Sequence, residues 1–232
     1  QAIGYEAIKQ GFQVLYRSIF DLVRDFLKDE AFSQQERTVR KYLKPDLLLI
    51  AGDLTYEPSE DLVTLFAPLR ELQMPAYYVP GNHDEQSPGP FLRPTLATAL
   101  AKHGVQSLED RAIELGGLNI VGLGDLWGGR LDWARLRATP GPVVLLMHNP
   151  DSLLTLPASA GGKVKLALAG HTHCGQVRIP GFYKQMIPTM GPFDCGWHDV
   201  DGVPLFITPG TGEIGLPLRF LNPPTVSIVQ VR

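Results

Sequence analysis

Four apolar runs in this chain each end in residues that carry chemistry, and that repetition constrains the fold more than any other feature. Leu47-Leu48-Leu49-Ile50-Ala51 runs into Gly52-Asp53, and Ala76-Tyr77-Tyr78-Val79-Pro80 runs into Gly81-Asn82-His83-Asp84. Val143-Val144-Leu145-Leu146-Met147 runs into His148, and 164–169 runs into Gly170-His171-Thr172-His173. Short continuous apolar runs bounded by turn residues read as strands covered on both faces. Polar residues directly after such strands sit at the C-terminal edge of a sheet, where open α/β proteins bind ligands. The pattern therefore predicts an α/β chain whose strand ends converge on one site.

The segments between these runs fit that reading. Ser33 caps a helix predicted to run to about Leu43, before Pro45. A second helix is predicted from 58–61 to about Gln73, and a third over 92–103, with His103 as a solvated residue at its end. Right-handed β-α-β crossovers then bring Asp53 and Asn82-His83 to one edge. Residues 112–115 and 118–123, joined by Gly116-Gly117, predict a hairpin, and 204–208 and 225–231 predict further strands. The loop 124–130, with Trp127 and two charges, reads either as a wall of a substrate site or as a structural turn. Residues 5–32 read equally as helix or, over 12–20, as a buried strand.

Length and composition exclude several classes. The 232 residues are enough for one large α/β domain, and a single domain over 1–232 is expected, with 1–32 as its least legible segment. A formal net charge of −3 gives no basic face for nucleic acid. No run reaches the roughly 18 apolar residues of a membrane span, and no signal-peptide pattern is present. The expected location is cytoplasmic or peripheral at a membrane; oligomeric state is not readable. Cys174 and Cys195 are too few for a disulfide framework, and Cys174 reads as a small buried residue. On an extended stretch, His171 and His173 point to one side and can face one metal centre. His198 reads as a hairpin or loop histidine without a metal role.

The series Gly52-Asp53, Gly81-Asn82-His83-Asp84, His148 and Gly170-His171-Thr172-His173 resembles the calcineurin-like metallophosphoesterase superfamily. Cys174-Gly175-Gln176-Val177-Arg178 and Leu216-Pro217-Leu218-Arg219-Phe220 are similar to a bacterial branch of membrane-associated phosphoesterases, which includes UDP-diacylglucosamine hydrolases. The resemblance implies two mixed β-sheets packed face to face with helices outside. It also implies two divalent cations, Mn foremost, with Fe or Zn as alternatives suited to mixed oxygen and imidazole ligands. Asp53 would bridge them; Asn82, His148 and His171 would complete one site, and His173 would serve the other. His83 would protonate the leaving oxygen, oriented by Asp84. The implied reaction is hydrolysis of a phosphodiester or pyrophosphate by metal-bound hydroxide, on a small or lipid-linked phosphoester such as a nucleotide-linked lipid, with peripheral membrane contact.

One motif departs from the family. The Asp-x-His expected at the end of the first strand falls on Asp21-Leu22-Val23, so Asp21 is a candidate ligand while valine stands where an imidazole is expected. Valine cannot ligate a metal. The departure supports a second reading, a catalytically impaired metal-binding protein that recognises a phosphorylated ligand or a membrane surface without turnover.

Overall fold

The computed structural model describes residues 13–15, 45–58, 60–86 and 89–231. In chain order the described strands are β1 (Gln13–Leu15), β2 (Leu48–Ile50), β3 (Ala76–Tyr78), β4 (Val105–Ser107), β5 (Ala112–Leu115) and β6 (Leu118–Gly122). They continue as β7 (Val143–Leu146), β8 (Val164–Ala169), β9 (Gly196–Val200), β10 (Val203–Ile207) and β11 (Ile228–Gln230). The α-helices are α1 (Leu62–Leu65), α2 (Arg93–Lys102), α3 (Ala134–Ala138) and α4 (Ala158–Gly161).

The strands form a six-stranded sheet in the order β5-β6-β7-β8-β10-β9, a three-stranded sheet β2-β3-β4, and the pair β1-β11. The six-stranded sheet is mixed: β6, β7, β8 and β10 are parallel, and β5 and β9 run antiparallel at the edges. The three-stranded sheet is parallel throughout. Alternation along β2 and β3 assigns the layers. Leu47, Leu49, Ala51, Tyr77 and Val79 pack inward on Ile120, Val144, Leu146 and Leu166 of the larger sheet. Leu48, Ile50, Ala76 and Tyr78 face outward onto Leu62, Leu96 and Leu100 of the helices. Val121, Leu145, Ala167 and Leu205 on the far face of the larger sheet pack with Leu136 and Ala160 of α3 and α4. The result is a helix, sheet, sheet, helix sandwich, in which each fully buried leucine contributes roughly 1.5–3 kcal/mol.

Two local departures from the sequence reading have physical causes. The single helix expected to end near Gln73 is split into α1 and a 3-10 segment, Ala67–Glu71. Pro68 explains the break, because its ring clashes with the carbonyl four residues back, that of Thr64. The start was legible: Asp61 caps α1, accepting from the Val63 and Thr64 amides at 2.9 and 3.1 Å. β4 is the second departure, three residues too short and too polar to read as a strand, formed because the Tyr78 edge of β3 pairs with it. The expected helix over 33–43 lies outside the described residues. Of the ambiguous early segment, Gln13–Leu15 is strand, paired with Ile228–Gln230.

The strand ends are clipped into one edge by backbone bonds. The Val79 amide donates to Ile50, Met147 to Leu168, Gly170 to His148 and Thr208 to Ala169, all at 2.9–3.1 Å. Among the described residues, no helix is long and apolar enough to cross a membrane.

Candidate metal centre

The turns after β2 and β3 approach so closely that only glycine fits between them. A Cβ on Gly81 would lie 2.2 Å from Asp53 Oδ1 and 2.4 Å from the Asp53 backbone nitrogen. Gly52 sits at φ +82°, and a Cβ there would meet the Gly81 nitrogen at 2.7 Å and His148 Nδ1 at 2.6 Å. Asp53 follows with φ 50°, a conformation aspartate tolerates better than most residues. This approach delivers Asp53 to His148 and to the backbone of the next turn. Asp53 Oδ2 lies 3.0 Å from His148 Nε2, and Oδ1 accepts from the His83 amide at 3.0 Å.

His148 is the hub. It is fully buried, and its Nδ1 lies 2.6 Å from the Ala51 carbonyl. A carbonyl can only accept, so Nδ1 carries the proton and Nε2 is turned toward the site. Asn82 Oδ1 lies 3.1 Å from that nitrogen, and His171 Nδ1 lies 3.0 Å from it. The ligand atoms of Asp53, His148 and His171 all lie within 4.8 Å of one another. Carboxylate and amide oxygens accept only, so Asp53 Oδ2 and Asn82 Oδ1 both face His148 Nε2 as acceptors; burial, with His148 behind it, pushes His171 down to about 3, so that ring is neutral and offers one lone pair. Such a convergence of acceptors needs a positive filling: a proton on His148 Nε2 or a metal cation. The donor set fits the cation, since mixed oxygen and imidazole ligation suits Mn, Fe and Zn.

Electrostatics show the proton already competing for that place. Burial alone would lower the His148 pKa, but the Asp53 carboxylate, then Asp125 and the Ala51 carbonyl, override it and raise the ring to about 9. Burial likewise opposes ionisation of Asp53, but His148 and His83 win and hold it below the usual carboxylate range. A metal at this centre must therefore displace a proton at any pH below about 9. Apparent Mn affinity is expected to rise about tenfold per pH unit between pH 6 and 8, with about one proton released per cation. Calorimetry in buffers of different ionisation enthalpy checks this; a pH-independent affinity would contradict it.

The remaining predicted residues fall around this hub. The His83 ring meets the edge of Tyr56, with centroids 5.0 Å apart. Asp84 is buried, and its Oδ2 accepts from the Gly81 amide at 2.9 Å, which pins the turn; burial raises its pKa to about 6. His173 stands outside the group of Asp53, His148 and His171. Burial lowers it to about 4, and Asp53, Arg219, His148 and His83 all act on it. Its carbonyl accepts from Asn222 Nδ2 at 2.6 Å. Asp21 and Val23 lie outside the described residues.

The extended His-x-His geometry expected from sequence does not occur. His171, His173 and Cys174 have φ of 66°, 47° and 51°, and His173–Gly175 is a 3-10 turn. The chain coils there, so period-two alternation does not apply, and the two imidazoles are placed by separate bends. Left-handed non-glycine residues cost roughly 1–3 kcal/mol each and persist only where surroundings hold them. A disulfide does part of that holding: Cys174 pairs with Cys195 at the start of β9. Thr172 adds to it, donating its hydroxyl to the Asp194 carbonyl at 2.7 Å. Cys174 is buried as expected, but its pairing was not legible, because a lone pair of cysteines 21 apart specifies no contact.

Two residues of the loop 124–130 join the site. The Trp127 ring lies edge-on to His171, centroids 4.5 Å apart. Asp125 is buried, and burial raises its pKa while His148 and the Gly128 amide oppose the rise. Of the two sequence readings of this loop, a wall of the site fits its position.

A family model described as calcineurin-like phosphoesterase matches residues 17–175. The chain is 32% identical over 200 residues to the phosphodiesterase YaeI of Escherichia coli, covering 81% of this chain and 71% of that one. It is 29% identical over 197 residues to a metallophosphoesterase of Helicobacter pylori, with 80% of this chain and 51% of that one covered. A transmembrane protein with metallophosphoesterase domain from Danio rerio is 28% identical over 203 residues, 78% of this chain and 44% of that one. The chain thus spans about half the length of several of these relatives.

Proposed function

Because the chain belongs to the calcineurin-like phosphoesterase family, we propose that it is a dinuclear metal-dependent phosphodiesterase acting on a lipid-linked phosphoester at a membrane surface. The observation that carries the hydrolytic part is the convergence of Asp53 Oδ2, Asn82 Oδ1 and His171 Nδ1 on Nε2 of His148. Those four residues would hold one cation; Asp53, His173 and Asp21 would hold the other, with Mn preferred over Fe or Zn. Two such cations, when bound, supply Lewis acidity that neutralises the phosphoryl oxygens and lowers the pKa of a coordinated water.

The chain's own residues perform the remaining work. The Ala51 carbonyl fixes the His148 tautomer, so no ring rotation is needed to present Nε2. The His83 amide holds the Asp53 carboxylate from the side away from His148, and the Asp84–Gly81 bond keeps that amide in place. The His83 side chain, whose ring meets Tyr56, is the group proposed to give a proton to the departing ester oxygen. The Trp127 ring stands edge-on against His171 on one side of the centre.

The lipid part rests on an apolar rim. Phe182, Met186, Met190, Leu216, Leu218 and Leu221 are large apolar side chains left exposed. They belong to two segments stitched together beside the His173 turn: the Arg178 amide donates to Phe220, the Phe220 amide to Gln176, and Gln176 Nε2 to the Leu216 carbonyl. Side chains of this kind insert into the headgroup and acyl boundary of a bilayer.

The test is hydrolysis of bis(p-nitrophenyl) phosphate with Mn, Fe or Zn added, alongside co-sedimentation with phosphatidylglycerol vesicles. Metal-dependent turnover removed by chelator is expected, as is vesicle binding that Met186→Asp with Leu216→Asp weakens at least tenfold while turnover of the soluble ester persists. Absence of turnover in every divalent metal, with the cations still bound, would leave the non-enzymatic metal-binding reading in its place.

A further inference from the structure

His148 and Asp151 belong to one short, buried segment. The Asp151 amide donates to Asn149 Oδ1 at 2.9 Å as the chain after His148 enters a 3-10 turn, Pro150–Thr155. The Asp151 carboxylate, three residues past the hub of the metal centre, is spent on the chain at 189–191. Its Oδ1 accepts from the Thr189 hydroxyl at 2.6 Å and from the Gly191 amide at 3.1 Å, and its Oδ2 from the Met190 amide at 2.6 Å. A Cβ on Gly191 would lie 3.3 Å from Oδ1, so the chain is pressed onto the carboxylate. Three donors on one buried carboxylate grip firmly, because hydrogen bonds to a carboxylate are roughly twice as strong as neutral ones.

The gripped segment straps the turn that carries His171. At one end Ile187 packs on Gly175, where a Cβ would lie 3.4 Å from its side chain. At the other end the Asp194 carbonyl accepts from the Thr172 hydroxyl at 2.7 Å, and Cys195 is joined to Cys174. The strap thus meets the histidine turn at both ends, and Asp151 meets the strap in its middle. The Pro188 carbonyl, beside the gripped residues, bears on the His171 ring and favours its protonated form. His171 itself has φ 66°, a conformation that its surroundings must hold. What the strap holds in place is the pair at the heart of the first cation position, His171 Nδ1 at 3.0 Å from His148 Nε2.

We propose that Asp151 is a positioning residue for the metal centre: from the segment that carries His148 it grips the strap on the His171 turn, and so sets the separation at which both imidazoles reach one cation. It acts through the strap rather than as a ligand. The inference rests on the proposal that His148 and His171 share a cation, and it does not need turnover. Outer-shell groups that orient ligating histidines change metal affinity when they are removed. The competing role is plain stabilisation of 187–195, which would lower the melting temperature and leave the cation's surroundings as they are.

The experiment uses Co(II) as the probe, since its visible absorption reports ligand geometry as well as binding. Asp151→Asn and Thr189→Val each remove part of the grip, whereas Thr189→Ser keeps the hydroxyl. Asp151→Asn is expected to weaken Co binding by calorimetry roughly 10–100-fold, the cost of losing an outer-shell partner, and to alter the absorption band. Thr189→Val should act in the same direction to a smaller degree, and Thr189→Ser should bind like the unmodified protein. Each variant is measured well below its melting temperature; if Asp151→Asn does not fold, Thr189→Val against Thr189→Ser decides. Lower melting temperatures with unchanged Co affinity and absorption overturn the proposal, as does a Thr189→Ser variant that behaves like Thr189→Val. A protein whose Co binding responds as expected and which hydrolyses no phosphodiester with any metal would sink the enzymatic reading and leave this one standing. Turnover of bis(p-nitrophenyl) phosphate by a protein whose Co affinity and spectrum ignore both substitutions would do the reverse.

Discussion

Asp53→Asn should empty both cation sites and lower phosphodiester turnover roughly a thousandfold or more, the several kcal/mol expected when divalent-cation catalysis is lost. The substitution is nearly isosteric. Oδ1 can still accept the His83 amide, which it now does at 3.0 Å, so the turn after β3 should keep its shape. What changes is charge: the oxygen now 3.0 Å from His148 Nε2 loses its negative charge or becomes an NH2 group that repels a cation. Metal content by atomic spectroscopy and turnover of bis(p-nitrophenyl) phosphate measure the outcome, with thermal melting as a check on folding. Two cations retained at full occupancy would contradict the bridging role. A second readout comes from the metal-free protein. The raised His148 pKa is sustained by the Asp53 carboxylate against burial, so in Asp53→Asn the ring should titrate well below about 9 by NMR. In the unmodified metal-free protein, that pairing stabilises the fold fully below pH 6.5 and is lost as pH rises through about 9.

Gly81→Ala is the second large effect. The added methyl would sit 2.2–2.4 Å from Asp53 Oδ1 and its backbone nitrogen, and the backbone contact cannot be relieved by a side-chain rotation. Separation of the β2 and β3 turns is the only relief, and it pulls the His83 amide from Asp53. Roughly 3 kcal/mol of destabilisation is expected, the upper range for overpacking a buried site, together with loss of metal binding. Gly212→Ala serves as the control, since a Cβ there meets nothing within 4 Å. Urea unfolding compares the three proteins; a Gly81→Ala loss within about 0.5 kcal/mol of the control would refute the close approach as the reason for glycine.

Legibility followed how local each signal is. Runs 47–51, 76–80, 143–147 and 164–169 appear as β2, β3, β7 and β8 because short, largely apolar stretches bounded by turn residues favour strands between packed layers. The helix start at 58–61 was readable from its local acids and proline, whereas the split into two segments at Pro68 was not read. β4 was not readable, since three residues with two polar side chains acquire strand geometry only from the neighbour they pair with. His171 and His173 show the opposite failure: a regular pattern was read where the backbone is irregular, because left-handed bends held by a disulfide and by the Thr172–Asp194 bond leave no periodic trace.

The sequence by itself determined the donor types and their order along the chain. Asp53, Asn82, His83, His148, His171 and His173 each follow an apolar run, and a strand end is a local property of the chain. Only the tertiary structure decided which of them meet and how. The orientation of His148 is set by the Ala51 carbonyl 97 residues away in sequence, and Trp127 reaches His171 only through the folding of the loop after β6. Those assignments depend on the angle and spacing at which two sheets pack. That geometry comes from side chains of the whole inter-sheet core acting together, so no single stretch of sequence contains it.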